Sequence, residues 1–148
     1  MKKVVFVILH YLDLETTVNC IESILKFENP NQFIVVVDNG SPNGSGKKIM
    51  SKYYDNSQVR VIEIVKNLGF AKGNNVGYKY AREKLRADII VVTNNDTIFT
   101  ENIYNQIIDI NKTGNHVVLP DIINKNGKHQ NPYREKPISN SKVYGGIF

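Results

Sequence analysis

Phe33-Ile34-Val35-Val36-Val37-Asp38-Asn39-Gly40-Ser41 is a run of five apolar residues that stops abruptly on a turn. A segment apolar at every position suits a strand covered on both faces, as in a parallel sheet. Asp, Asn, Gly and Ser are turn formers, so the strand end is as well marked as the strand. Val4 to Leu9 repeats the pattern and stops at His10-Tyr11. Ile89 to Thr93, after Asp88, reads as a further central strand and stops at Asn94-Asn95-Asp96.

Between these runs the period changes. Asp13 offers an N-cap, and Val18, Ile21 and Leu25 recur at helical spacing, predicting a helix over Leu14 to Phe27. Glu28-Asn29-Pro30-Asn31 ends it. A second helix is expected from Ser45 to Tyr54 on the thin stripe Ile49, Met50 and Tyr53. Val59 to Val65 reads as a less buried strand, interrupted by Arg60 and Glu63. Asn67 to Gly73 reads as a loop. Val76, Tyr80, Ala81 and Leu85 mark a third helix. Thr100 can cap a fourth, with Glu101 in its first turn and Tyr104, Ile107 and Ile108 as its apolar stripe. Val117 to Leu119 reads as a fifth strand. Asn126-Gly127 predicts a small β-ribbon over Ile122 to Gln130.

Strict alternation of strand and helix means an α/β domain with a mainly parallel sheet flanked by helices. The chain has 148 residues, enough for one such domain. Hydrophobic residues make up 41% and charged residues 22%, which excludes disorder and a disulfide scaffold. Cys20 stands alone, so it reads as a small buried hydrophobe. The run Val4 to Leu9 is far shorter than the roughly 20 residues that span a bilayer. It follows Met1-Lys2-Lys3, but no small-residue cleavage site comes after it, so it reads as a strand of a cytoplasmic protein. The net charge of +5 suits a nucleic acid, an anionic membrane surface or a phosphorylated small molecule without choosing among them.

Ligands of parallel sheets sit beyond the carboxyl ends of the strands. Here that edge carries His10-Tyr11, Asp38-Asn39-Gly40-Ser41, Asn67-Leu68-Gly69 and Asn94-Asn95-Asp96. Asp38 reads either as a turn former or as an acceptor for a ligand N–H such as a nucleobase imide. Asp96 reads either as a turn residue or as a hard oxygen ligand for Mg²⁺ or Mn²⁺ shared with a diphosphate. Asn94 can accept from a ribose hydroxyl. Lys72 and the helix start after Gly69 can lie near phosphate. The dinucleotide and phosphate-loop glycine signatures are both absent. His10, His116 and His129 have no metal-ligand spacing.

Taken together, four stretches resemble glycosyltransferase family 2, with its GT-A fold, and within it the rhamnosyltransferase-like branch. They are Val7-Ile8-Leu9-His10-Tyr11, Val36-Val37-Asp38-Asn39-Gly40-Ser41, Asn67-Leu68-Gly69-Phe70-Ala71 continuing to Asn75-Val76-Gly77, and Val92-Thr93-Asn94-Asn95-Asp96-Thr97. They occur in family order over the first 120 residues. The resemblance implies a GT-A-like sugar-nucleotide domain over 1–120, with 121–148 as a β-ribbon and the start of an incomplete acceptor-side half. It implies that Asp38 takes the imide N–H of uracil or thymine and that the backbone at His10 and Tyr11 lines the base pocket. Asn67, Gly69, Lys72, Asn75 and Asn94 would complete the nucleotide site. Asp96 would hold Mg²⁺ or Mn²⁺, the last acid of a triplet whose first acid is here Asn94.

The implied reaction is transfer of a sugar from a UDP- or dTDP-sugar to a saccharide or lipid-linked acceptor, in surface polysaccharide synthesis. The implied location is the cytoplasm, with peripheral contact at the inner face of a membrane. The family's acceptor-side base has no counterpart after Pro120, so the expectation is a truncated, donor-binding part. A non-catalytic nucleotide-sugar-binding module is the alternative. An exposed interface for the missing half is a route to self-association. A nucleic-acid-binding domain is the third reading, and no aromatic-rich basic motif supports it.

Overall fold

The computed structural model describes residues 1–112, 114, 122–124 and 126–129. By contacts the chain divides into two units, Met1–Ile108 and Asp109–Phe148. The first unit holds a four-stranded, wholly parallel sheet. In chain order its elements are β1 (Val4–His10), α1 (Leu14–Leu25), β2 (Gln32–Asp38), α2 (Ser45–Lys52), β3 (Val59–Glu63), α3 (Phe70–Glu83) and β4 (Ile89–Asn94). A fourth helix, α4 (Tyr104–Lys112), begins at its end. The strand order is β3-β2-β1-β4. The runs at Phe33 to Val37, Val4 to Leu9 and Ile89 to Thr93 are thus the adjacent strands β2, β1 and β4, with β1 and β2 central and β4 at an edge.

Burial explains why those two runs are apolar throughout. Val4, Phe6 and Ile8 of β1, with Ile34 and Val36 of β2, face Cys20, Ile21 and Ile24 of α1 and Ile49 of α2. Val5, Val7, Val35 and Val37 face the other way, onto Ala81 of α3 and its neighbours. Alternation therefore persists, but both faces are covered. β3 is an edge strand with exposed Arg60 and Glu63, as expected, and it ends at Glu63 rather than Val65. β4 is the other edge, and Val92 there is half exposed.

Asp13 caps α1, its carboxylate accepting from the Thr16 N–H at 3.1 Å. Two helix starts differ from the sequence reading. α3 begins at Phe70, so Gly73 lies inside the helix and not in a loop. The physical reason is close packing. A Cβ on Gly73 would lie 2.6 Å from Leu9 Cδ1, and one on Gly77 would overlap Val7 and lie 2.9 Å from Val37 Cγ2. Four residues apart, these glycines form one flat stripe that lets α3 settle onto β1 and β2. α4 begins at Tyr104 and not after Thr100; the Asn102 side chain accepts the Tyr104 N–H at 3.1 Å.

In the second unit, Ile123 and His129 form an antiparallel bridge. Asn124 Oδ1 accepts from the N–H of Asn126 and of Lys128, and Gly127 has φ +74°, a value glycine tolerates. The bridge and this turn fall within the ribbon expected over Ile122 to Gln130, of which Lys125 and Gln130 lie outside the described residues. The strand expected at Val117 to Leu119 lies outside the described residues. No helix among the described residues is long and apolar enough to cross a membrane.

Candidate functional site

Register brings the strand ends together. His10 pairs with Asp38, Asp38 with Glu63, and Leu9 with Asn94. Paired residues of parallel strands point to the same face, so His10 and Asp38 both lie on the α1 and α2 side. There they differ. The His10 ring is fully buried, with Nδ1 2.7 Å from Thr17 Oγ1 and Nε2 2.7 Å from Ser45 Oγ. Thr17 already donates its hydroxyl proton to the Asp13 carbonyl, and Ser45 donates its own to Asn43 Oδ1. With both protons committed, only a ring donating at both nitrogens satisfies the whole network. That ring is the imidazolium. Burial lowers the His10 pKa, against the opposing pull of Asp38 and Asp13. At neutral pH the ring is therefore mainly neutral: a proton on Nδ1 goes to Thr17 Oγ1, and the Ser45 hydroxyl turns its own to Nε2 while the Ser45 N–H keeps Asn43 Oδ1.

Asp38 is 4% exposed. Its Oδ1 accepts the Ser41 N–H at 3.1 Å, so the turn role read from sequence is real. Its carboxylate also lies against Gly46 in the first turn of α2, where a Cβ would overlap Oδ2. The loop after β1 is clasped to the same turn. Leu12 N–H donates to Ser41 Oγ, and Asn43 Nδ2 donates to the Leu12 carbonyl. Leu12 has φ +66°, unfavourable for a side chain of its shape. Tyr11 beside it is 41% exposed, presenting a ring at the mouth of the strand ends.

Asn39 secures the next segment. It is buried, its Oδ1 accepts the Leu68 N–H at 2.9 Å, and its Nδ2 donates to Asn67 Oδ1 at 3.1 Å. Asn67 Oδ1 also accepts the Gly69 N–H. The Asn67 side chain thus holds the loop, and Gly69 opens α3 with φ +79°. Lys72 and Asn75 are both exposed on α3. The buried amide of that turn is Asn74, 8% exposed, which donates to the Phe70 carbonyl and whose Oδ1 has no partner.

Beyond β4 the chain turns, with Thr97 N–H donating to the Asn94 carbonyl. Asn94 and Asp96 are exposed, whereas Asn95 points inward and donates to Thr17 Oγ1 at 3.1 Å. Cys20 lies beneath, its thiol 3.7 Å from the Asn94 carbonyl and pushed up to about 12 by burial and then by Asp96. No group of three His, Cys, Asp or Glu side chains is placed to hold a metal among the described residues. The donor set is a single hard carboxylate preceded by two neutral amides. That fits Mg²⁺ or Mn²⁺ sharing its coordination with phosphate, and does not fit a resident ion held by protein alone.

The structure therefore gathers His10, Tyr11, Asp38, Asn67, Gly69, Asn94 and the first turns of α3 along one sheet edge. Thr17, Ser45, Asn39, Gly46 and Asn95 all position that edge; the sequence marks Asn39 and Asn95 only as members of the edge turns and gives no role to any of the five. Asn39 and Asn95 flank candidate acids in turns, which is a weak signal. Thr17 and Ser45 look like ordinary helix residues, and only the fold connects them to His10.

A family model described as glycosyl transferase family 2 matches residues 5–146. The low-salt glycan biosynthesis hexosyltransferase Agl10 of Haloferax volcanii is 25% identical over 114 residues, which is 76% of this chain and 34% of that protein. The chain thus spans about a third of the length of this curated relative. Among solved structures, the mannosyltransferase PcManGT of Pyrobaculum calidifontis, in complex with GDP-Man and Mn²⁺, superposes with a TM-score of 0.60 at 17% identity. That match covers 69% of this chain and 30% of PcManGT. S. aureus TarS 1–349 in complex with UDP gives 0.61 at 18% identity, over 85% of this chain and 43% of that one. These structural matches establish the shared fold.

Proposed function

Because the chain belongs to glycosyltransferase family 2, we propose that its strand-end edge is the donor site of a sugar-nucleotide-dependent transferase. The observation that carries this reading is the pairing of two carboxylates at one end of a parallel sheet. Asp38 is nearly buried beside the β1 end, and Asp96 is exposed just past β4. The two environments suit two roles. A sheltered carboxylate recognises a base N–H without competition from water, and an exposed one shares a cation with phosphates.

In this reading Asp38 accepts the imide N–H of a uracil or thymine, and Tyr11 with the His10 backbone lines the base pocket. Asn67 and Gly69 shape the adjoining wall, with Asn75 on the exposed side of α3. Asn94 accepts from the ribose, and Lys72 with the α3 start faces the diphosphate. Asp96 holds Mg²⁺ or Mn²⁺ together with that diphosphate. When bound, the ion offsets the charge on a departing nucleoside diphosphate. The donor is a UDP- or dTDP-sugar carrying a hexose, with the rhamnosyltransferase-like branch as the finer proposal. The acceptor is a saccharide or lipid-linked saccharide in surface polysaccharide synthesis, at the inner face of a membrane. Residues 1–120 form the donor domain and 121–148 begin an acceptor-side half.

The PcManGT complex contains GDP-Man, and guanine also presents a ring N–H to a carboxylate, so GDP belongs in the test. Calorimetric titration of the 148-residue chain with UDP, dTDP and GDP, each with and without Mn²⁺, decides. Tightest binding of a pyrimidine diphosphate with Mn²⁺ supports the reading, and no binding of any of the three rejects it. The chain spans only about a third of its curated relative, which keeps a donor-binding part without turnover as the second reading. Hydrolysis or transfer of the sugar nucleotide by the purified chain would reject that second reading.

A further inference from the structure

We propose that His10 is a positioning residue for the loop that carries Asp96, acting through the hydroxyl of Thr17. The inference rests on the donor-site reading above and adds to it a connection between the base end and the diphosphate end. Thr17 Oγ1 sits between two partners: His10 Nδ1 at 2.7 Å and Asn95 Nδ2 at 3.1 Å. Its own proton goes to the Asp13 carbonyl at 2.9 Å. The oxygen therefore receives the Asn95 amide, and the ring restricts how that oxygen turns. Asn95 immediately precedes Asp96, so fixing its side chain fixes the backbone from which Asp96 projects.

The second ring nitrogen reaches the other end of the site. His10 Nε2 meets Ser45 Oγ, the Ser45 N–H donates to Asn43 Oδ1, and Asn43 Nδ2 donates to the Leu12 carbonyl. Ser45 opens the helix whose Gly46 lies against the Asp38 carboxylate. One buried ring thus ties the turn beside Asp38 to the loop before Asp96. The charged groups that face it are Asp38 of β2 and Asp13 of the β1–α1 loop. α1 presents Thr17 and α2 presents Ser45, both neutral.

A leucine at position 10 would continue the apolar strand without desolvating an imidazole. It would fill the space but remove the ring's contact to Thr17 Oγ1, leaving the Asp13 carbonyl and the Asn95 amide alone to orient that hydroxyl. Orientation of the Asp96 loop, rather than packing, is what the histidine adds.

The test uses the 148-residue chain, UDP and Mn²⁺, and reads the factor by which Mn²⁺ tightens UDP binding. Thr17→Val and Asn95→Ala should each reduce that factor about three- to tenfold, the range of one lost hydrogen bond. The double variant should lose little more than the larger single, because both break one chain. His10→Gln should behave like Thr17→Val. Thr17→Ser, which keeps the hydroxyl, should restore the parent factor. Additive losses, or a Thr17→Ser variant as impaired as Thr17→Val, would overturn the proposal. If UDP does not bind the parent chain, the factor is read with whichever of dTDP and GDP does, and if none of the three binds, the donor-site reading fails on its own. The same Thr17–Asn95 cycle read in urea unfolding then decides the connection: non-additivity supports it and additivity overturns it.

Discussion

Gly46 lies against the carboxylate of Asp38 so closely that a methyl group at position 46 would overlap Oδ2. α2 starts one residue earlier, at Ser45, without a side-chain cap. The helix start and the acid therefore occupy adjoining space, and neither can grow without displacing the other.

Gly46→Ala should destabilise the chain by about 1–3 kcal/mol through overpacking. It should also weaken UDP binding, because the Asp38 carboxylate is what must move. Gly44 supplies the comparison. It has φ +71° and no atom near its Cβ direction, so Gly44→Ala should cost about 1 kcal/mol in backbone strain and leave UDP affinity near the parent value. Urea unfolding and calorimetry on both variants check the pair.

Asp38→Asn separates the two roles of Asp38. The amide oxygen can still accept the Ser41 N–H, so the turn survives. The charge does not. Nucleoside diphosphate affinity should fall by about 1–3 kcal/mol, the range for a charged hydrogen bond in a sheltered site. A folded Asp38→Asn chain with parental affinity would leave Asp38 as a turn residue alone.

The sheet is legible in the sequence because a short run apolar at every position, bounded by turn formers, needs cover on both faces. Two such runs specify the buried centre of a parallel sheet, a third run at Ile89 to Thr93 adds an edge strand, and the polar stops of all three locate the site edge. What stays hidden depends on which way a side chain turns. Asn74 and Asn75 are neighbours of the same type, yet the helix buries one and exposes the other. Gly73 and Gly77 read as loop or helix-start glycines because glycine is a poor helix former. Their actual reason is contact with Leu9, Val7 and Val37, residues distant along the chain that only the folded sheet brings under α3. His10 reads as a member of a ligand-facing edge, and the network that turns its ring inward needs Thr17 and Ser45 in place.

Gly77→Ala tests the helix stripe. The added methyl would overlap Val7 Cγ1 in the core under α3. Helix propensity favours alanine by about 1 kcal/mol, and overpacking opposes it by about 1–3 kcal/mol. The contact involves a β-branched side chain on a central strand, which has little freedom to withdraw. Net destabilisation is expected in urea unfolding. A stabilised variant would mean that α3 shifts outward at little cost.

His10 should give the stability a definite pH slope. Burial holds its folded-state pKa below the ordinary 6.5. The unfolded chain then binds more protons than the folded one between the two values, so stability rises with pH. The full contribution is present above 6.5 and is lost as pH falls towards the folded pKa. Urea midpoints measured between about pH 5 and 7.5 should therefore drop on the acid side. His10→Gln removes the titrating group and should flatten this part of the slope. An equal slope in both chains would assign the effect to other groups.

Asp96 should bind a divalent ion only in company with a diphosphate. It is exposed, preceded by neutral Asn94 and Asn95, and no cluster of metal-ligating side chains surrounds it among the described residues. Mg²⁺ dehydrates reluctantly, and one carboxylate supplies too little charge and too few ligands to hold Mg²⁺ or Mn²⁺ alone. Phosphate oxygens contribute the remaining charge and ligands. Titration of the chain with Mn²⁺ alone should show no saturable binding at ordinary concentrations. Mn²⁺ added with UDP should tighten nucleotide binding in the parent and do little in Asp96→Asn. UMP, which lacks the second phosphate, should gain much less than UDP from Mn²⁺ in the parent. Equal enhancement in the parent and Asp96→Asn would place the ion on other residues.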